Sequence, residues 1–291
     1  MRVNELYKNK QPVISMEFFP PRNQAASEKF GGLIDTLAAY NPDYMSITFG
    51  AGGSTRDGSY QTVKELIVDK KMPTVAYIAG YGLGPDDIRE VLDSYRELGV
   101  ETIFVIRGDQ PKTDDAALHP DSFLYASDLI SFIKSNYDFT LGCAGYPEGH
   151  IEAKNLDQDI QYLKQKVDNG AEYVVAQYFY DNDYFFNYVD KCKDQGINVP
   201  IIPGIMPVYT VKMTRMLSKI CGSAITDELD QKLNSLDSED KEGAVKLGID
   251  FAAEQCRGLL KQGVPGLHFY TMDRSKSTGE IIAQLKQENL L

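Results

Sequence analysis

Eight short apolar runs, rich in β-branched and aromatic residues, recur along the chain and are separated by stretches with helical periodicity. The runs are continuously apolar and do not alternate with polar residues, a pattern typical of parallel strands covered by helices. They predict strands at residues 13–18, 44–49, 74–79, 102–106, 140–144, 173–179, 200–205 and 267–271. Helical periodicity is clearest at residues 85–98 and from residue 156 to a stop at Gly170.

Eight strand–helix units in 291 residues predict an α/β fold, a single (β/α)8 TIM barrel, since such barrels need about 250 residues. An open doubly wound sheet is the alternative. It is disfavoured because Glu17-Phe18-Phe19-Pro20-Pro21 stands where a G-x-G-x-x-G turn would follow the first strand. The polar, acidic residues 222–243 predict an extra helical excursion before the eighth strand. We expect one domain, residues 1–291.

Charge and cysteine content narrow the classes of partner. A net charge of −12 and a pI near 4.8 argue against nucleic acid or an anionic membrane as the partner. There is no run of eighteen apolar residues and no apolar signal core at the N-terminus. The four cysteines are scattered without metal-site spacing. We therefore expect a soluble cytoplasmic protein that acts on a small molecule and holds no metal.

Glu17 stands inside the apolar first strand, between Met16 and Phe18. A carboxyl group at that position is partly desolvated, which favours its protonated form and suits a general acid. The alternative is a carboxylate paired with a buried Arg or Lys.

In a barrel of this type the chemistry collects at the carboxyl ends of the strands. Arg107-Gly108-Asp109 follows the fourth strand, where the glycine allows close approach to a ligand and Arg107 offers a fork for phosphate. Arg-Gly-Asp is also an integrin-recognition tripeptide, but its position directly after a core strand disfavours that role here. The polar groups at the predicted strand ends are Glu17, Thr48, Tyr77, Arg107, Asp109, Tyr146, His150, Gln177, Tyr270 and Arg274.

Other candidate groups are less specific. Residues 50–55 resemble a phosphate-binding loop but lack the ending of a P-loop. Of the three histidines, His150 is the most ligand-like, whereas the pattern favours a solvated His119 and a satisfied core His268. Asp159, Tyr162 and Lys166 share a helix face, which suits ribose or phosphate contact or an ordinary ion pair.

Several motifs occur together in one order: residues 17–22 (EFFPPR), 46–51 (SITFGA), 107–109 (RGD), 145–150 (GYPEGH), 177–181 (QYFYD), 202–207 (IPGIMP) and 268–274 (HFYTMDR). Over essentially its whole length the chain resembles the methylenetetrahydrofolate reductases of the short bacterial type. That family is a (β/α)8 barrel holding FAD at its mouth, in agreement with the strand count.

The resemblance implies a ping-pong hydride relay in one-carbon and methionine metabolism. NADH or NADPH gives hydride to the flavin N5, and the flavin then reduces 5,10-methylenetetrahydrofolate to 5-methyltetrahydrofolate. Glu17 matches the general acid that protonates the folate and opens its five-membered ring. Asp109 matches the aspartate that meets the pterin and tunes the flavin. Homo-oligomers are common in the family, and the resemblance also allows a redox-partner subunit.

The resemblance also implies the binding residues. Folate contacts fall on Glu17, Asp109, Gln177, Tyr270 and Arg274. FAD contacts fall on Thr48, Phe49, Ala51, Tyr77, Arg107, Gly108, Asp109, Tyr125, Ala126, Tyr146, His150, Ala153, Asp159, Tyr162 and Lys166. The chain departs from the family pattern at Tyr77, where many relatives have histidine, at Tyr162, and at Asp273, where asparagine is familiar.

Two further interpretations stay open from the sequence. A flavin-free enzyme would pass nicotinamide hydride directly to the same folate. A non-catalytic subunit would bind folate or a redox partner within a larger complex, although such a module needs neither Glu17 nor Asp109.

Overall fold

Eight parallel strands close into a barrel in chain order, as the sequence predicts. The structure is a computed structural model that describes residues 1–49, 53–109, 118–237 and 240–291, with the backbone alone at 53–56. The strands are β1 (Val13–Phe18), β2 (Tyr44–Ile47), β3 (Thr74–Ala79), β4 (Thr102–Ile106), β5 (Thr140–Gly145), β6 (Tyr173–Tyr178), β7 (Ile201–Ile205) and β8 (Gly266–Tyr270). The predicted strand ends differ from these by two residues at most. β8 pairs with β1 and completes the ring.

Helices surround the barrel and follow the strands. They are α1 (Val3–Asn9), α2 (Gln24–Ala38), α3 (Gly53–Lys64, continued by a π-helical turn at Glu65–Asp69), α4 (Pro85–Glu97), α5 (Ala126–Asn136), α6 (Leu156–Asp168), α7 (Asn182–Asp194), α8 (Val211–Cys221), α9 (Asp227–Asn234), α10 (Lys241–Lys261) and α11 (Ser275–Gln287). Pro85 occupies the first position of α4, where its missing N–H costs nothing. Asn155 caps α6 by accepting a hydrogen bond from the Gln158 backbone N–H.

Most buried apolar residues form two layers because successive side chains of a strand point to opposite faces. The larger layer lies between the strands and the helices. A smaller cluster fills the barrel interior, and its buried aromatic residues are Tyr7, Tyr44, Tyr77, Phe104 and Tyr173. The N-terminal helix α1, which the sequence pattern did not reveal, packs Val3 and Tyr7 against this inner cluster. The interior is therefore closed at the end opposite the carboxyl ends of the strands.

The acidic stretch before the eighth strand forms the predicted excursion. It contributes α9 and the start of α10, and Leu229 and Leu233 bury one face of α9. The opposite face is polar, and Asp230 pairs with Arg215 of α8 at 2.7 Å. Within the described ranges, no helix is long and apolar enough to cross a membrane.

Candidate functional site

Glu17 lies at the carboxyl end of β1, buried to 8% exposure. The Tyr77 hydroxyl donates a hydrogen bond to Glu17 Oε2 at 2.5 Å, and His268 Nε2 lies 3.7 Å from the same oxygen. Among the described residues, no Arg or Lys forms an ion pair with Glu17, so the alternative of a structural ion pair finds no support. We call Ser15, Glu17, Tyr77 and His268 the Glu17 centre.

His268 differs from the satisfied core histidine that the sequence favoured. It is 1% exposed, and its Nδ1 lies 2.8 Å from Ser15 Oγ. Its Nε2 has no hydrogen-bond partner among the described residues and faces the Glu17 carboxylate. The β1–β8 register explains the arrangement, because Ser15 pairs with His268 and Glu17 with Tyr270. His268 is thus a site residue that sequence reasoning missed, although it stands two positions before the predicted Tyr270.

The predicted folate residues flank the Glu17 centre at the barrel mouth. Tyr270 donates its hydroxyl to the Ala176 carbonyl at 3.1 Å, which ties it to the barrel wall. Gln177 is half-buried at the end of β6. The exposed Arg274 guanidinium stacks over the Tyr209 ring at 5.2 Å.

The turn after β8 brings Asp273 close to the same centre. Met272 and Asp273 both adopt positive φ angles of 49° and 54°, so the chain turns sharply there. The Phe19 backbone N–H donates to Asp273 Oδ1 at 3.1 Å. Desolvation, and secondarily the charge of Glu17, raises the pKa of Asp273, whereas the Phe19 hydrogen bond opposes the rise.

A cleft of about 500 Å³ opens beside the mouth, between the ends of β4 and β5 and the helices α5 and α6. We call it the β4–β6 cleft, because its walls come from the part of the chain that runs from the end of β4 to the start of β6. It is lined by nine residues that the family resemblance assigns to cofactor binding. They are Arg107, Tyr125, Ala126, Tyr146, His150, Ala153, Asp159, Tyr162 and Lys166.

The inner wall of the cleft holds a buried charge. Asp159 is 5% exposed, and desolvation raises its pKa to about 6, against the opposing effects of Lys166 and of the His150 backbone hydrogen bond. Lys166 donates to the Ala144 carbonyl at 2.6 Å and lies 5.8 Å above the Tyr146 ring. Desolvation likewise lowers the pKa of His150, whose ring meets Tyr146 edge-on at 4.7 Å. The side chains of His150 and Lys166 therefore both lie against the Tyr146 ring.

The outer wall of the cleft is open and carries Arg107. Both terminal nitrogens of Arg107 donate to the Glu152 carboxylate, one of them at 3.0 Å. The rings of Tyr125 and Tyr162 are 63% and 47% exposed at the rim. Glu152 also lines the cleft, and no motif had singled it out. Its only sequence signal is its place two residues after His150.

The remaining predicted residues follow β2 or β4, or lie outside the described residues. Thr48 and Phe49 directly follow β2 and are half-buried. Gly108 has φ +87°, so a side chain there would be strained. Asp109 is exposed beside it, and its negative charge raises the pKa of Arg107, although the Glu152 hydrogen bond contributes more. Ala51 lies outside the described residues.

The cleft suits a dinucleotide with a planar ring system. Its volume lies within the range of small-molecule sites. Arg107 and Lys166 supply cationic donors for phosphate, and the buried Asp159 carboxyl can accept from a ribose hydroxyl. The exposed tyrosine rings offer faces for stacking. The donor set therefore fits FAD.

Comparisons with known proteins match the chain to one family. The profile of a family described as methylenetetrahydrofolate reductase matches residues 2–286. "Methylenetetrahydrofolate reductase (NADH) 1" of Arabidopsis thaliana is 35% identical over an alignment of 297 residues, covering 98% of this chain and 50% of the plant protein. The 5,10-methylenetetrahydrofolate reductase of Escherichia coli (strain K12) is 32% identical over 263 residues, covering 90% of this chain and 87% of the bacterial protein. The chain spans about half the length of the plant and fungal relatives it matches.

Solved structures share the architecture at lower identity. An uncharacterized protein from Clostridium thermocellum that binds two copies of 5-methyl-5,6,7,8-tetrahydrofolic acid superposes with a TM-score of 0.65 at 20% identity, over 98% of each chain. Dihydropteroate synthase from Xanthomonas albilineans gives 0.51 at 10% identity, over 97% of this chain and 94% of that one. At these identities the likeness is one of fold.

Proposed function

Because the chain belongs to the methylenetetrahydrofolate reductase family, we propose that it reduces 5,10-methylenetetrahydrofolate to 5-methyltetrahydrofolate with a reduced nicotinamide as electron donor and FAD as cofactor. The observation that carries the proposal is a buried carboxyl group, Glu17, at the same end of the barrel as a dinucleotide-sized cleft. The reaction needs both parts, a proton donor and a redox cofactor.

FAD would occupy the β4–β6 cleft. Arg107 and Lys166 would hold its phosphates, and Asp159 would accept from a ribose hydroxyl. Bound there, the flavin supplies two-electron chemistry, taking hydride from the nicotinamide and giving it to the folate. Gly108, with its positive φ, lets the backbone after β4 approach the ligand without a side chain in the way.

Glu17 would supply the proton that the folate needs. The folate ring opens when one of its bridging nitrogens is protonated, and a carboxylic acid within hydrogen-bond reach can do this. The proton leaves a Glu17 oxygen, the carbon–nitrogen bond breaks, and a carboxylate remains. Its near-complete burial excludes bulk water from the transfer. Gln177, Arg274 and Asp109 would orient the folate, and Tyr270, whose hydroxyl donates to the Ala176 carbonyl of the barrel wall, would lie behind them.

The test is a visible spectrum of the purified protein, followed by anaerobic addition of NADH and then of methylenetetrahydrofolate. NADH is the first donor to try because the name of the Arabidopsis relative specifies it. We expect flavin bands that bleach with NADH and return with the folate, together with one equivalent of methyltetrahydrofolate.

Three outcomes would contradict parts of the proposal. A protein that neither carries nor takes up FAD, yet forms methyltetrahydrofolate, would establish direct hydride transfer. Flavin that bleaches with NADH but does not return with the folate would reject the folate as substrate. A protein without flavin and without turnover would establish a binding role.

A further inference from the structure

The two oxygens of the Glu17 carboxyl group have different surroundings. We infer that Tyr77 is the positioning residue of Glu17: its hydroxyl holds Oε2, so that Oε1 carries the proton given to the substrate. This inference rests on the proposed function, because it assigns the geometry of the acid in that reaction. It also gives Tyr77 a role different from the flavin contact that the family resemblance implies.

Both close neighbours of the carboxyl group approach the same oxygen. Tyr77 donates to Oε2 at 2.5 Å, and His268 Nε2 lies 3.7 Å from Oε2. Within the part of the chain that the structure describes, Oε1 has no hydrogen-bond partner. One oxygen is therefore engaged by the protein, and the other stands available to a substrate.

Tyr77 acts as the donor to this oxygen. Its side chain is 6% exposed, and burial, followed by the charge of Glu17, raises the pKa of its phenol well above the usual range. A phenol that keeps its proton needs an acceptor, and the carbonyl-type oxygen of a neutral carboxyl group is one. When Glu17 is protonated, Oε2 consequently has the carbonyl role and the hydrogen sits on Oε1.

The same contact strengthens as the proton leaves. Transfer breaks the Oε1–H bond, forms an N–H bond on the substrate and leaves a carboxylate, while Tyr77 keeps its own proton. The hydrogen bond to Oε2 then becomes charge-assisted, about twice as strong as a neutral one. Tyr77 therefore stabilises the product of proton transfer more than the reactant, as a group that assists an acid must do.

The tyrosine is rigid enough for this task. Its ring stacks on Phe104 with a centroid separation of 4.4 Å and an interplanar angle of 22°. The two residues are register partners in neighbouring strands β3 and β4. Since the ring is clamped by the barrel wall, the hydroxyl position is set before any ligand binds.

The experiment compares Tyr77→Phe with Tyr173→Phe. Tyr173 is a matched control because it is another buried tyrosine of the barrel interior, 6.0 Å from the same Phe104 ring. Its hydroxyl has no hydrogen-bond partner among the described residues. We expect Tyr77→Phe to slow flavin reoxidation by methylenetetrahydrofolate about 10- to 100-fold, because a hydrogen bond to a charged group is lost. In both variants the rate of flavin reduction by NADH and the affinity for flavin should change less than twofold. The flavin potential should not shift.

The pH profile adds a readout that a purely structural role would not move. Within the described residues, Tyr44, Tyr77, His268, Tyr270 and Asp273 are the titratable groups that interact with Glu17. Of these, Tyr77→Phe changes Tyr77 alone. The pH at which folate reduction falls to half its plateau should move to a higher value in that variant, because the ionised carboxylate has lost a donor. It should not move in Tyr173→Phe.

Three results would overturn the inference. One is equal slowing by Tyr77→Phe and Tyr173→Phe. Another is a shifted flavin potential with unchanged folate reduction, which would make Tyr77 a flavin contact. The third is an effect of Tyr77→Phe that persists when Glu17 is already replaced by glutamine. In that background we expect removal of the Tyr77 hydroxyl to change the residual rate of folate reduction less than twofold. If Tyr77→Phe does not fold, Tyr77→Met removes the same donor while a flexible side chain fills the space.

A failure of the proposed function would be recognised separately. If the wild-type protein does not reduce methylenetetrahydrofolate, that function is rejected, and the inference is then tested without turnover. Protein labelled with ¹³C at the glutamate carboxyl carbon gives a Glu17 resonance identified by its absence in Glu17→Gln. A higher titration midpoint in Tyr77→Phe than in Tyr173→Phe supports the contact, and equal midpoints reject it.

Discussion

The Glu17 centre and the β4–β6 cleft lie at the same end of the barrel but are built in opposite ways. In the first, Glu17, Tyr77 and His268 are 8%, 6% and 1% exposed, and each makes a side-chain hydrogen bond within the barrel. In the second, Tyr125 and Tyr162 are 63% and 47% exposed, and Arg107 is held by the acidic side chain of Glu152. One region is preorganised, whereas the other is open and must exchange partners when a ligand enters.

The difference follows from what each region has to do. A proton donor works through its exact position and dry surroundings, so its supporting contacts belong to the barrel wall. A dinucleotide site must admit and release a large anionic molecule, so its charges stand on loops and helix faces at the rim. The predictions below test whether the two regions are separable in this sense, beginning with the largest expected effect.

Glu17→Gln should lower folate reduction about a thousandfold, within the range of general acid catalysis. The glutamine carbonyl can still accept from Tyr77, so the barrel wall should be unchanged. Flavin reduction by NADH should stay within about twofold, because Glu17 does not line the cleft. Stopped-flow measurement of the two half-reactions separates them.

The control for that variant is Glu172→Gln, which alters a half-buried glutamate that accepts from Lys134 at 2.9 Å near the start of β6. It should leave both half-reactions unchanged. If both half-reactions fell together in Glu17→Gln, the two regions would not be separable and Glu17 would be a structural residue.

Asp159→Asn should stabilise the protein above pH 6. The pKa of Asp159 is raised to about 6, from an ordinary value near 3.8. Between these values the folded state holds a proton that the unfolded state has lost, so stability falls as the pH rises through this window. At pH 7 the ionised buried carboxylate costs about 3 kcal/mol at most. Urea unfolding should show almost no gain at pH 4 and the full gain at pH 7.

Asp157→Asn on the same helix is the matched control, since Asp157 is exposed and pairs with Lys191 at 2.8 Å. It should not show the pH-dependent gain. The affinity for FAD should fall in Asp159→Asn. The Asp159 carboxylate would then lower the stability of the folded protein while it contributes to FAD binding. A gain of equal size at pH 4 and pH 7 would show that the charge of Asp159 is not its cause.

Arg107→Ala should weaken FAD binding about tenfold, because a two-pronged donor to phosphate is lost at a partly exposed site. Arg96→Ala is the control, since Arg96 pairs with Asp93 on the outer surface of α4 at 2.9 Å. Equilibrium titration of apoprotein with FAD measures both affinities. Folate reduction at saturating FAD should be unchanged, and a loss there would mean that Arg107 also acts on the Glu17 centre.

The sequence was sufficient to predict the features that depend on local pattern. The eight strands followed from continuous apolar runs, and the shared face of Asp159, Tyr162 and Lys166 followed from helical spacing. Glu17 was found because a charged residue in an apolar strand is conspicuous. These signals survive folding because they depend on a strand or a helix alone.

Features that depend on the closure of the barrel could not be read in the same way. His268 meets Glu17 only because β8 pairs with β1 in one register. The target of the Tyr77 hydroxyl depends on three strands, since β2 separates β3 from β1. Glu152 meets Arg107 across two loops separated by 45 residues in sequence. In each case the missing information was the relative placement of elements, not the chemistry of the residue.

Glu152→Gln should tighten FAD binding by a few-fold, the smallest effect and the one opposite in sign to Arg107→Ala. Glu152 occupies the Arg107 fork, so a phosphate must displace it. The pair is partly exposed, with side-chain exposures of 33% and 57%, and such pairs contribute about 0.2–1 kcal/mol. When Glu152 no longer competes for Arg107, the affinity for FAD should therefore rise about 1.4- to fivefold, and the gain should shrink at high salt. Glu254→Gln, which removes an exposed partner of Arg257 far along the chain, is the control. Weaker FAD binding in Glu152→Gln would mean that the pair holds Arg107 in its binding position, and the cleft would then be preorganised like the Glu17 centre.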